Sequence, residues 1–204
     1  MKTSLERIIL GLILAPLLPI AGLLGFWWAA YALLAEQWIP YCATAGLALG
    51  VLADIFTLGK LIGRAYKLGA IFWTTVFLFY SVGVFGFFMG VPVFNVILAI
   101  PVGFVVGGGL ARETVDGDRL RRACMRTCIL TTSILSIVCA ASALIALASP
   151  STANDLRGML GLAFEIPPFM IWGLILVGGA GLLVLNWVLT GVSIRMAHRF
   201  LTGV

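Results

Sequence analysis

Cys42, Gly46, Gly50 and Asp54 recur at every fourth position of one apolar run, and the last of them carries the most chemistry in the chain. At that spacing the four residues share one stripe of a helix, small side chains leading to a carboxylic acid. A carboxylate turned toward lipid costs roughly 2.5–3.5 kcal/mol on insertion scales, so the stripe is expected to face protein or water. Asp54 is then a proton- or cation-responsive group, a substrate contact, or the acidic half of a structural ion pair with Lys60, whose long stem can reach back along the helix. Thr57 lies one turn beyond it. A rise of about 1.5 Å per residue from a boundary near Tyr41 puts Asp54 about 20 Å into the membrane, in its cytoplasmic third.

Two amides are the other candidates for a solute or ion pathway. Asn95 begins a second stripe, Asn95, Ala99, Gly103 and Gly107, which Pro101 interrupts and Gly108 and Gly109 follow. Close helix contact is the expectation there, with Asn95 near the outer boundary, either lining a path at a different depth from Asp54 or capping an irregular helix start after Pro92. Asn186 follows Gly178, Gly179 and Gly181 and falls close to the depth of Asp54, so Asp54 and Asn186 are expected to form a contacting polar pair. A further small polar seam, Cys128, Thr132, Ser136, Cys139 and Ala143, suits close packing, and its hydroxyls can bond back to their own helix.

No catalytic set accompanies these residues, and an enzyme is not expected. Intramembrane hydrolysis needs a nucleophile with a base, or metal ligands, at one depth. The single histidine, His198, lies beside Arg195 and Arg199, suited to a helix C-terminus. Cys124 and Cys128 are one turn apart, too few ligands for zinc, and with Cys42 and Cys139 they read as free thiols. Gly107-Gly108-Gly109 is not in the strand-to-helix setting of a phosphate loop. No metal or cofactor is expected.

The elements that must position these side chains are membrane spans. The chain has 204 residues, 62% of them hydrophobic and 10% charged, and its mean hydropathy is +1.14. That leaves too little polar surface for a soluble globule. Apolar runs at about 8–34, 41–57, 70–89, 91–110, 127–148 and 169–190 are long enough to span a hydrocarbon core of roughly 30 Å. All thirteen Lys and Arg residues except Arg157 fall on one side of this pattern. Lys2 and Arg7 precede the first span; Lys60, Arg64 and Lys67 follow the second; Arg112, Arg119, Arg121, Arg122 and Arg126 follow the fourth; Arg195 and Arg199 follow the sixth. The positive-inside rule then makes both termini cytoplasmic. The expected fold is an all-α membrane protein: one integral domain over 1–204, a six-transmembrane-helix bundle. The first run exceeds the length of a signal-peptide core and is expected to stay as a helix.

Within that frame, Pro16 and Pro19 predict a kink in span one, and Phe26, Trp27, Trp28, Tyr31 and Trp38 an aromatic belt at the outer interface. The segment 58–68 reads as a charged, interfacial helix end, and Gly90-Val91-Pro92 as a short connection making spans three and four a tight hairpin. Asp116-Gly117-Asp118 predicts a turn and a helix starting at Asp118 that runs into span five. That helix would align Arg119, Arg122 and Arg126 on one face and set Asp118 opposite Arg122. In the outer loop 149–168, which holds Asn154, Asp155, Arg157 and Glu165, the stretch 159–164 is expected to form a short surface helix. No residue identity supports an inverted repeat of two three-span halves.

The segment from Gly46 through Asp54, Ile55 and Phe56, continuing through Lys60 to Tyr66, together with Phe87-Phe88-Met89-Gly90-Val91-Pro92-Val93-Phe94-Asn95, resembles a group of small prokaryotic six-span membrane proteins. The likeness covers about the first half of the chain. It implies a hairpin of the GVPVFN type and brings no activity with it. A Gly-rich helix ending in Ala53-Asp54 is also similar to S-components of energy-coupling-factor vitamin transporters, which dock a scaffold through small residues of the first helix. Gly11 and Ala15 depart from that docking pattern.

These readings leave two functions. One is recognition or transport of a small solute or ion, with Asp54, Asn95 and Asn186 along the pathway. The other is an accessory or assembly subunit of a larger membrane complex, with Arg119, Arg121, Arg122 and Arg126 touching a protein partner or lipid headgroups. The partners expected are the lipid bilayer, its anionic headgroups, and a partner protein or second copy, with no nucleic acid. The expected location is the cytoplasmic membrane of a prokaryotic cell.

Overall fold

Two prolines decide how the chain begins. Pro16 cannot donate a hydrogen bond to the carbonyl four residues earlier. In the computed structural model, which describes residues 4–88, 90–113, 116–161 and 167–203, helix α1 (Ser4–Leu14) accordingly stops two residues before Pro16, and α2 (Leu17–Leu33) restarts just after it. A short 3-10 turn then leads into α3 (Ile39–Arg64), which carries Pro40 in its first turn, where a missing N–H costs nothing. The expected kink is present at residues 15–16, and Lys2 lies outside the described residues.

The remaining elements are α4 (Ala70–Phe87), α5 (Ala99–Leu110), α6 (Gly117–Ala148), α7 (Thr152–Leu160), α8 (Pro168–Gly173) and α9 (Gly179–Thr202). A 3-10 stretch, Pro92–Leu98, precedes α5, and a π-helical turn, Leu174–Gly178, joins α8 to α9. No strand occurs among the described residues. Among the described residues, six helical stretches are long and apolar enough to cross a membrane: Glu6–Leu33, Glu36–Lys67, Ala70–Phe87, Pro92–Leu110, Gly117–Ala148 and Phe169–Thr202. These are the six expected spans, in the expected order. The second, fifth and sixth run past the apolar windows because Lys and Arg side chains continue a helix readily once it is formed.

Their surface is what lipid requires. Leu12, Ile71, Val82, Phe87 and Val177 are all more than two-thirds exposed, and every span carries further exposed large apolar side chains. The belt aromatics Trp27, Trp28, Tyr31 and Trp38 are exposed too, with Trp28 and Tyr31 edge to face at 6.0 Å between ring centroids.

The chain divides into two compact units, Met1–Phe72 and Trp73–Val204, with the boundary inside α4. In the first, α2 packs along α3, and α1 packs on the far part of α3. In the second, α5 and α6 both pack on α9, and the 3-10 stretch lies against α5, α6 and α9.

Several local expectations are refined. The hairpin turn is tight, with Gly90 at φ +82°, its N–H on the Phe85 carbonyl at 2.8 Å, and Phe88 stacked on Phe94 at 3.8 Å. Met89 lies outside the described residues. Helix α6 starts at Gly117, one residue before the expected Asp118, because Asp116 is the N-cap and its carboxylate accepts from the Gly117 N–H at 2.8 Å. Arg122 reaches the Asp118 main-chain carbonyl, not its carboxylate, at 3.4 Å. In the loop 149–168 the described helix is α7; of the expected 159–164, residues 162–164 lie outside the described residues. Ser151 donates to the Asp155 carboxylate at 2.8 Å and Thr152 to the Ala146 carbonyl at 2.7 Å, fixing its start, and Gly161 at φ +62° ends it. Glu165 lies outside the described residues.

Candidate functional site

Glycines bring Asp54 to its place. A Cβ on Gly46 would collide with the Gly22 carbonyl oxygen and with the Phe26 side chain, and one on Gly50 with the Leu18 carbonyl and the Pro19 Cα. Backbone therefore lies on backbone along α2 and α3, an approach only glycine permits. The two helices run antiparallel, so a step along α3 from Gly46 to Gly50 is a step back along α2 from Gly22 to Leu18. One more turn of α3 reaches Asp54, and one more turn back reaches Leu14 and Ala15, where the first span is broken. Further along, Gly11 meets Ile62. Asp54 thus faces the kink.

There the carboxyl is buried, 7% exposed, and its Oδ1 has no hydrogen-bond partner. Its own helix offers none: the Thr57 hydroxyl donates to the Ala53 carbonyl at 2.7 Å. The expected ion pair with Lys60 is not formed, and Lys60 is exposed. Six residues along a helix leave a side chain about 120° around from the Asp54 face, which is why the reach fails. The predicted stripe holds at Gly46, Gly50 and Asp54; at its start Ala43 is the buried residue and Cys42 only half-buried.

The kink supplies oxygens. Pro19 has no N–H for the carbonyl of Ala15, which is released from the helix ladder one turn before the point where Pro19 meets Gly50. A buried carboxyl oxygen that no donor reaches is suited to a cation or a proton.

Asn95 and Asn186 belong to the second unit. Asn95, 4% exposed, donates through Nδ2 to the Ser81 carbonyl of α4 at 2.8 Å, while its Oδ1 has no partner. It ties the third span to the 3-10 stretch and does not act as a helix cap, since Val91 holds that position. The rest of its stripe packs as expected. A Cβ on Gly103 would meet Ser193, one on Gly107 would meet the Ile194 carbonyl and Ala197, and Ser193 donates across to the Ile100 carbonyl at 2.8 Å.

Asn186, 1% exposed, donates to the Thr131 hydroxyl at 3.3 Å and the Thr132 hydroxyl at 3.2 Å. Thr190 donates to the Asn186 carbonyl at 2.8 Å and lies 3.2 Å from Thr131, hydroxyl to hydroxyl. Both amide hydrogens of Asn186 are thereby taken up within the second unit. The structure brings Asn186 together with three threonines and Asn95 with Ser81, and leaves the Asp54 carboxylate oxygen unsatisfied.

Compared with protein-family models, with curated proteins and with solved structures, this chain finds no match. The site therefore stands on its own geometry.

Thr131 and Thr190 were not among the expected site residues, nor was Glu6, which is 1% exposed on one face of α1 with Leu10 and Leu14. Two of them had a signal: Thr190 is one turn from Asn186, and Glu6 begins a four-residue repeat ending in two leucines. The arginines of α6 are where they were expected. Arg119, Arg121, Arg122 and Arg126 are exposed, and Arg119 pairs with Glu113 at 2.6 Å. Among the described residues no three His, Cys, Asp or Glu side chains gather as metal ligands.

Proposed function

We propose that this chain is a multi-pass protein of the cytoplasmic membrane, with both termini on the cytoplasmic side, that recognises or transports a small solute or ion through Asp54. The observation that carries the reading is the buried Asp54 carboxyl with an unpartnered oxygen at the break in the first span. An acid left without a partner in a low-dielectric site costs several kcal/mol, and such groups are retained in membrane segments chiefly where they bind or move something. Asn95 and Asn186 act in this reading as supports that hold the second unit, with Asn95 Oδ1 a further acceptor. The skew of Lys and Arg toward one set of helix ends supports the orientation.

The test is purification of the wild type and Asp54→Asn from native membranes in mild detergent, with mass spectrometry of bound small molecules and flux measurements after reconstitution. Loss of the bound species or of flux in a folded Asp54→Asn protein is expected. Equal binding and flux in the two would reject the reading. Reporter fusions at the C-terminus and in α7 test the orientation, and an externally placed C-terminus would reverse it.

A second reading has one observation in its favour. Arg121, Arg122 and Arg126 are exposed on the first turns of α6 and make no ion pair among the described residues, so this end of the helix can dock acidic lipid headgroups or an acidic partner subunit. Charge reversal at Arg119, Arg121 and Arg122 would release such a partner; a co-purified complex left intact would count against it.

A further inference from the structure

We infer that Asp54 and the main-chain carbonyl of Ala15 form a binding site for one monovalent alkali cation at the kink of the first span. The inference rests on the reading of Asp54 as the recognising group and names what it recognises.

Three observations converge. The Asp54 carboxyl is more than nine-tenths buried with Oδ1 unpartnered. The antiparallel glycine register of α2 on α3 carries that carboxyl to the turn of Leu14 and Ala15. At that turn Pro19 removes the donor of the Ala15 carbonyl, on the side of the helix that meets α3. No hydrogen-bond donor reaches Oδ1 of the carboxyl there. Thr57 is committed to its own helix, and the face of α1 that continues the seam carries Leu14, Leu10 and, about two turns from Leu14, the buried Glu6. Lys60 and Arg64, the cations nearest along α3, are exposed.

Charge decides among ligands. One carboxylate is neutralised by one monovalent cation; a divalent ion would leave a net positive charge in a seam whose next buried acid, Glu6, lies about 12 Å along α1 from Leu14. Hard alkali cations prefer carboxylate and carbonyl oxygens, and broken membrane helices bind them through such main-chain oxygens. Water completes the shell. The seam explains the placement of both prolines and of Asp54 by one requirement, an oxygen pair opposed across two helices that glycine holds in contact.

The experiment is thermal unfolding of the full-length protein in mild detergent, in sodium, potassium or choline chloride at fixed ionic strength and pH. A bound cation stabilises the folded state by mass action, so the wild-type midpoint is expected to rise by about 5 °C or more from choline to saturating sodium or potassium. Asp54→Asn is expected to melt at one temperature in all three salts. Pro19→Ala restores an N–H to the Ala15 carbonyl and is expected to need several-fold more cation for the same shift. A wild type that melts identically in choline and alkali salts, or an Asp54→Asn protein that responds as the wild type does, overturns the site. A Pro19→Ala response equal to the wild type removes Ala15 and overturns it as drawn. If Asp54→Asn does not fold, Asp54→Glu replaces it, with a changed sodium-to-potassium preference expected and an unchanged one overturning the site. A wild type indifferent to cations whose melting still follows pH through Asp54 overturns the cation site but leaves Asp54 as a proton-responsive group. Indifference to both, with flux intact in Asp54→Asn, removes the wider reading as well.

Discussion

The contact of α2 with α3 and the contact of α5 with α9 rest on the same device, glycine set against backbone, and differ in the polar groups beside it. In the second unit those groups satisfy one another: Asn186 donates to Thr131 and Thr132, Thr190 donates to Asn186, and Ser193 crosses to the Ile100 carbonyl. The one orphan atom there, Asn95 Oδ1, belongs to a neutral amide already anchored at Ser81. In the first unit the polar group is an acid, and its oxygen is left over. Helix contacts that close on themselves hold a fold. A contact that closes except for one carboxylate holds a fold and reserves a charge for something else, at a standing cost to stability.

The device itself is the easiest to break. Gly46→Ala and Gly107→Ala each force a Cβ against a main-chain carbonyl that cannot move without its helix. Each should destabilise by about 3 kcal/mol or more, with loss of monodisperse protein on size-exclusion chromatography. Gly25→Ala and Gly83→Ala, where a Cβ meets nothing within 4 Å, should elute as the wild type does. Equal tolerance at all four positions would mean that neither contact depends on glycine.

The next effects have opposite signs in the two units. Asn186→Leu keeps the volume but removes both donors to the threonines, and should lower stability by about 1–2 kcal/mol, since hydrogen bonds between membrane helices average about 0.6 kcal/mol and reach about 1.7. Asp54→Asn removes a charge that nothing in the chain neutralises, and in cation-free medium should raise stability by about 1 kcal/mol while losing function, the usual trade at a functional site. Thermal midpoints of the two variants in choline chloride check the comparison. A fall in both would place Asp54 among the structural residues, and the difference between the units would disappear.

How much of this the residues foretold depends on helical arithmetic. The six spans were legible because lipid demands long apolar runs, and the kink because proline has no N–H. The stripes ending in Asp54 and beginning in Asn95 were legible because glycine and alanine at fourth positions leave one narrow face. The Thr131 cluster was not. Counting by fours or nearly so from Cys128 through Thr132 and Ser136 to Cys139 slides around the helix, about 40° for each four-residue step. The face that α6 buries is Cys124, Cys128, Thr131, Leu135 and Val138, alternating four and three, which tracks a partner helix without drift. Partners were illegible for the same reason that depth alone was a poor guide. Asn186, expected by residue counting at the depth of Asp54, finds its donors' targets on a helix of its own unit, and Lys60 is turned away from the acid around α3.

The smallest expected effect probes the arginine end of α6, where charge lies at the surface and not in a seam. Arg119 and Glu113 sit at 2.6 Å, but both side chains are more than half exposed, so solvent and salt screen the pair. Arg119→Ala should therefore change the thermal midpoint by an amount equivalent to no more than about 0.5 kcal/mol, and that difference should vanish as salt is raised. The same substitution combined with Arg121→Ala and Arg122→Ala should weaken binding to vesicles containing anionic lipid, because each cation near such a surface contributes about 1 kcal/mol. A large stability loss from Arg119→Ala alone, insensitive to salt, would show a third seam in which a charge is structural. The contrast would then run between three contacts, with the acid in the first unit still the one left unsatisfied.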